Sequence, residues 1–171
     1  MIASTVKIIV AGDGGTGKTC FLQRLIHDEF RMENELTKGV DFFSKKIKLS
    51  DKEINFVLWD FAGQDQYEEI LDCFIDGSIA AFVLFDLTRV KSFESVQKWI
   101  LKLKRFGNIP IMLVGTKMDL LNGEKESFLD DHANKFLELH DNVLGYVKIS
   151  SKTGENVKQA FEILIDRVSS K

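Results

Sequence analysis

The chain has 171 residues, 44% of them hydrophobic, and a formal net charge of −3. That length suits one domain around one core, spanning residues 1–171, and the mild acidity excludes a protein that holds nucleic acid by bulk charge. No apolar run approaches the roughly 20 residues that cross a bilayer.

The first residues, Met1-Ile2-Ala3-Ser4-Thr5, lack the basic flank and apolar stretch of a signal peptide. Ile2 excludes N-myristoylation, and the ending Val168-Ser169-Ser170-Lys171 offers no cysteine for prenylation. Cys20 and Cys73, with His27, His132 and His140, show no metal-ligand spacing. A reduced, cytoplasmic setting fits.

In chain order, residues 6–11 form an apolar run that reads as a buried strand, and 18–28 carry a helical pattern. Between them stands Gly12-Asp13-Gly14-Gly15-Thr16-Gly17-Lys18-Thr19, a complete GxxxxGK[ST] phosphate loop. Glycines let the backbone curl until successive N–H groups point at phosphate oxygens. The positions that supply them run through Gly14, Gly15, Thr16, Gly17, Lys18, Thr19 and Cys20, with the helix start adding the positive end of its dipole. Lys18 brings a point charge to the terminal phosphates, and the Thr19 hydroxyl is a Mg²⁺ ligand. A chance glycine turn is the plain alternative. The Gly-Lys-Thr ending, flanked by strand and helix, weighs against it.

Residues 41–49 alternate Phe43, Lys45, Ile47 and Leu49 against polar neighbours, as in a strand. The cluster Lys38, Lys45, Lys46, Lys48 reads as exposed lysines on that flat strand. Ser50-Asp51-Lys52-Glu53 reads as a hairpin connection to a strand at 54–59. Next comes Asp60-Phe61-Ala62-Gly63-Gln64. Asp60 is placed to hold Mg²⁺ through a water, or else caps a turn. The Gly63 N–H can meet a terminal phosphate, and Gln64 can orient the attacking water.

Residues 80–85 and 111–114 are continuous apolar runs, as in central parallel strands, and 146–149 is a shorter one. Phe93, Val96, Ile100 and Leu103 step with helical period, and Lys98, Lys102 and Arg105 share a solvated face. A helix covers 128–139, and Val157, Ala160, Phe161, Leu164, Ile165 and Val168 mark the last one. Repeating strand–helix units imply a mostly parallel sheet covered on both faces, with ligands at the carboxyl ends of its strands.

Two further clusters fall at such ends. In Thr116-Lys117-Met118-Asp119 the carboxylate can accept from both N1–H and the amine of guanine, an edge adenine does not present. The Lys117 stem can lie along the base. In Ser150-Ser151-Lys152-Thr153-Gly154 a backbone N–H can meet the guanine carbonyl, or the segment can cap the last helix.

On these motifs the chain resembles a Ras-superfamily small GTPase from residue 7 to residue 168, and is most similar to the Rab branch. Lys38-Gly39-Val40-Asp41-Phe42, Trp59-Asp60-Phe61-Ala62-Gly63-Gln64 and Ile149-Ser150-Ser151-Lys152-Thr153-Gly154-Glu155-Asn156-Val157 are similar to Rab segments. The resemblance implies an α/β, three-layer P-loop NTPase domain: a six-stranded, mostly parallel sheet with about five helices. It implies that Thr37 is the switch threonine, with its hydroxyl on Mg²⁺ and its backbone at the γ-phosphate. Phe30 then packs against guanine or is simple core. Phe42, Trp59 and Phe74 form either an effector-facing aromatic triad or ordinary core. Family members carry Asn where Thr116 stands, although the Rho branch has Thr. Rab proteins have Thr at Phe61 and Ile at Lys38, and end in a tail with lipid-bearing cysteines. Membrane association is thus expected only through partners or such a tail.

The implied activity is a GTP/GDP switch with Mg²⁺, hydrolysing GTP slowly through Lys18, Thr37 and Gln64. Its expected partners are an exchange factor, a GTPase-activating protein and effectors, around a monomer that binds no nucleic acid. No arginine lies between Glu33 and Thr37, so a helper arginine comes from a partner. Two rivals stand beside it. A small-molecule P-loop kinase needs acceptor-binding arginines, and Arg24, Arg31, Arg89, Arg105 and Arg167 are scattered. A binding module without useful hydrolysis has no need of Thr37 and Gln64.

Overall fold

A computed structural model describes residues 4–31, 39–49, 52–62, 68–121 and 124–169. Six strands form one sheet: β1 (Ser4–Ala11), β2 (Val40–Leu49), β3 (Lys52–Phe61), β4 (Ser78–Asp86), β5 (Ile111–Thr116) and β6 (Val143–Lys148). The helices are α1 (Lys18–His27), α2 (Glu68–Ile75), α3 (Val90–Glu94), α4 (Val96–Lys104), α5 (Glu124–Leu139) and α6 (Val157–Ser169), with a short 3₁₀ turn at Met118–Leu120.

The strand order is β2-β3-β1-β4-β5-β6. β2 runs antiparallel to β3, and every other pairing is parallel. Parallel neighbours require crossovers that lay helices on both faces, so the inner strands lose their polar side. Residues 80–86 of β4 and all of β5 are buried. β2 is an edge, and its exposed Lys46 and Lys48 discourage a further strand from pairing there.

The alternation of β1 divides the interior in two. Ile8 and Val10 face α1 and α6, among Phe21, Leu22, Phe82, Phe161 and Leu164. Ile9 and Ala11 face the other way, toward α4 and α5, among Val83, Phe85, Val96, Ile100 and Leu129. Phe21 meets Phe82 edge-on at 5.2 Å between ring centres, fixing α1 against β4.

Several bounds move from the sequence reading. β3 extends through Asp60, so that carboxylate lies in the strand rather than after it. Lys52 and Glu53 belong to β3, since Leu49 already pairs with Lys52; only 50–51 remain as the connection, outside the described residues. β6 begins at Val143 and ends before Ile149. The helix through Phe93 and Leu103 is two helices parted at Ser95.

The lysine and arginine clusters also divide. Lys45 reaches inward to donate to the Leu25 carbonyl at 3.0 Å, while Lys38 lies outside the described residues. Lys98 is exposed as expected. Lys102 instead folds over the Trp99 ring, 5.2 Å from its centre, and Arg105 pairs with Asp72 of α2 at 3.4 Å.

Candidate functional site

β1 delivers the chain to the phosphate loop at Gly12, where φ is +144° and an added Cβ would stand 2.3 Å from the Leu84 carbonyl oxygen of β4. Only glycine fits this approach. Gly17, at φ +90°, turns the backbone into α1. The loop is braced within itself: the Thr16 hydroxyl donates to the Asp13 carbonyl at 2.9 Å. The buried Lys18 ammonium donates to the carbonyls of Gly12 (3.0 Å) and Asp13 (2.9 Å). The cation therefore lies across the loop it closes.

Asp60 is fully buried at the end of β3, opposite Val10 of β1. Its Oδ2 accepts from the Thr19 hydroxyl. Its Oδ1 has no hydrogen-bond partner among the described residues. Burial pushes this carboxyl up to about 6, with Asp41 adding to the effect while the Thr19 bond and the Lys18 charge oppose it. An orphaned, dehydrated carboxylate oxygen beside a threonine hydroxyl is a donor set that suits a hard divalent cation such as Mg²⁺.

The segment after β5 fastens to the phosphate loop. The buried Thr116 hydroxyl lies 2.6 Å from the Thr16 carbonyl and 3.1 Å from that of Phe85, within donating distance of both. A threonine here keeps a clasp on the loop. Lys117, in the left-handed region at φ +63°, donates to the Gly15 carbonyl at 3.1 Å and to Asp86 Oδ2 at 2.7 Å. Asp119 is exposed at the rim, where it accepts from the Ser150 hydroxyl at 2.7 Å. That hydroxyl also accepts from the Thr153 N–H. The segment also borders the last helix: the Gly154 carbonyl accepts from the Val157 N–H at 3.3 Å, where α6 begins.

Of the predicted site residues, Gly14, Gly15, Thr16, Gly17, Lys18, Thr19, Cys20, Asp60, Thr116, Lys117, Asp119, Ser150, Ser151 and Lys152 thus gather at or beside the carboxyl ends of β1, β3, β5 and β6. Phe30 follows α1 and is 38% exposed, which rules out the simple-core account. Thr37, Gly63 and Gln64 lie outside the described residues. The three aromatics form a continuous strip: Phe42 to Trp59 is 6.0 Å and Trp59 to Phe74 is 5.1 Å between ring centres, with Phe42 66% exposed. Ordinary core would not leave Phe42 in solvent.

Sequence reasoning missed four supports. Asp86, at the end of β4, is buried and accepts from Thr88 N–H, Thr88 hydroxyl, Lys117 and Arg89. Burial alone would raise its pKa; the Lys117 ammonium and the two Thr88 donors overcome it and hold the carboxyl below its ordinary value. Arg89 also donates to the Gly14 carbonyl at 3.0 Å. The Trp99 indole donates to Asp13 Oδ1 at 2.8 Å, tying α4 to the loop. Arg24 of α1 donates to the carbonyls of Ser151 and Lys152. The one available signal was Asp86, a charge closing an apolar run at a strand end.

The sequence model of the Ras family matches residues 7–170. The chain is 34% identical to the GTP-binding protein ypt3 of Schizosaccharomyces pombe over 164 residues, covering 95% of this chain and 75% of that protein. It is 35% identical to the Ras-related protein Rab-11A of Dictyostelium discoideum over 164 residues, with the same coverage. Against the GTP-binding protein YPT53 of Saccharomyces cerevisiae it is 36% identical over 169 residues, 96% of this chain and 76% of that one.

Proposed function

The chain belongs to the Ras family, and we propose that its single domain is a GTP-hydrolysing switch of the Rab kind, cycling between GTP and GDP with Mg²⁺. One observation carries this reading. The Thr116–Lys117 segment is bonded to the Thr16 and Gly15 carbonyls of the phosphate loop, so the base end and the phosphate end are built as one piece. That juxtaposition suits a guanine nucleotide, with Asp119 accepting from the base edge and the loop amides meeting the phosphates.

Thr19 and Asp60 are assigned to the metal, with Thr37 completing the set, and Phe30 to the base. Bound Mg²⁺ neutralises charge on the terminal phosphates. Lys18 would stabilise the same charge, the Gly63 N–H would meet the γ-phosphate, and Gln64 would orient the attacking water. Phosphoryl transfer needs positioning and charge more than covalent chemistry, so these few groups suffice for slow turnover. Gly14 and Gly15 leave room for an arginine from an activating partner.

The output is recognition. The γ-phosphate orders the loops around Thr37 and Gly63, and an effector reads the ordered form beside the strip of Phe42, Trp59 and Phe74. An exchange factor restarts the cycle. No helix among the described residues is long and apolar enough to cross a membrane. We assign the protein to the cytoplasm, with membrane contact made through partners or a lipid-bearing tail.

The test is nucleotide content. Denaturing the purified protein and separating the supernatant by chromatography should release close to one GDP or GTP per chain. Titration with Mg²⁺ present should show GTP held far more tightly than ATP. ATP held as firmly as GTP, or neither held at micromolar concentration, overturns the proposal.

A further inference from the structure

We propose that Arg24 is a positioning residue for base selectivity, fixing the Ser151–Lys152 peptide plane so that its amide faces the guanine carbonyl; this rests on the guanine-nucleotide reading above. Arg24 lies in α1, six residues beyond Lys18, and its side chain is only 16% exposed. Nε donates to the Ser151 carbonyl and Nη2 to the Lys152 carbonyl, each at 2.7 Å. Those two nitrogens share one edge of the planar guanidinium, so consecutive carbonyls are held by one rigid fork. Nη1 donates to the Asp28 carbonyl at 2.8 Å, anchoring the fork to the end of its own helix.

The consequence follows from peptide geometry. In a trans peptide the N–H points opposite to the carbonyl of the preceding residue. Holding the Ser151 carbonyl toward α1 therefore aims the Lys152 N–H away from it. The preceding plane is held likewise, because the Ser150 carbonyl accepts from the Gly154 N–H at 2.8 Å, which sets the Ser151 N–H. Among the described residues neither of these two amides donates to a protein acceptor. They are a fixed pair of donors at the rim beside Asp119, where an exocyclic oxygen belongs. Because Arg24 shares a helix with Lys18 and Thr19, the loop that reads the base is indexed to the groups that hold the phosphates.

The test uses the whole chain, emptied of nucleotide and reloaded, with three diphosphates and with ADP as the control for base class. GDP carries the carbonyl oxygen; 6-thio-GDP replaces it with a poor acceptor; inosine diphosphate keeps it but lacks the amine that Asp119 reads. Arg24→Lys keeps charge and bulk but cannot make the fork, and Arg24→Gln is the second variant. In the native protein GDP binds more tightly than either analogue. In both variants the preference for GDP over 6-thio-GDP contracts about tenfold, while GDP over inosine diphosphate stays within about twofold. The acceleration of nucleotide release by chelating Mg²⁺ is unchanged. Equal weakening of all three ligands, or an unchanged preference over 6-thio-GDP, makes Arg24 merely structural and overturns the proposal. Failure of the native protein to prefer GDP over ADP removes the guanine reading itself, and this assignment with it.

Discussion

The corner proposed for the base and the corner proposed for the metal are finished differently along this sheet edge. At the base corner the protein pairs its own groups: Lys117 with Asp86 and Gly15, Ser150 with Asp119, Arg24 with two loop carbonyls. At the metal corner Asp60 is sealed from water with one oxygen lacking a partner among the described residues. The first is organised before any ligand arrives, so little ordering is left for binding to supply. The second holds an electrostatic cost that an arriving cation relieves. Base recognition is thus expected to depend little on Mg²⁺, and phosphate retention heavily.

Loss of the residue assigned to the attacking water has the largest effect on turnover. Gln64→Leu should remove most of the partner-stimulated hydrolysis, a loss of about 10³–10⁵ in rate, while GTP binding measured by titration is retained. Unchanged turnover would refute the role assigned to Gln64.

The two buried carboxylates sharpen the contrast, because their variants should move stability in opposite directions. Without metal and nucleotide, Asp60→Asn is expected to stabilise the protein at pH 7 by on the order of 3 kcal/mol. The sign follows from a folded pKa raised from 3.8 to about 6. That group favours folding below its unfolded value and loses this contribution as pH rises through about 6, so the gain should vanish near pH 4. Saturating Mg²⁺ with nucleotide should reverse it. Asp86→Asn should cost about 3 kcal/mol at pH 7, since it leaves Lys117 and Arg89 without their shared partner. Its folded pKa is lowered, so its contribution is present above the unfolded value and disappears as pH falls below it. Urea unfolding across pH, with chelator, measures both. Parallel profiles for the two variants would erase the distinction between the corners.

The smallest effect belongs to the outer brace. Trp99→Phe removes the donor to Asp13 and should cost about 1 kcal/mol, with a modest rise in nucleotide release. A loss in a Trp99→Phe, Asp13→Ala pair no greater than in Trp99→Phe alone would show that the two act as one bond, and additive losses would show that they do not.

Much of this edge was legible because each motif follows an apolar run, so strand, turn and polar cluster announce one another. Asp60, Asp119 and the phosphate loop were found that way. The supports were not. Arg24 reaches carbonyls 127 and 128 positions away, and a backbone carbonyl as acceptor leaves no mark on residue identity. Lys102 looked like one more surface lysine until Trp99 came to lie beneath it. The split at Ser95 was hidden for another reason: Ser95 keeps right-handed helical dihedrals, so the apolar period runs on across it.

The two tryptophans occupy separate stations. Trp59 lies in the aromatic strip, with Lys7 4.7 Å from its ring, and Trp99 touches the phosphate loop. Replacing either by Phe leaves a single emitter in a known place. Intrinsic fluorescence would then register cargo loading and docking of another molecule as independent signals, with no dye attached.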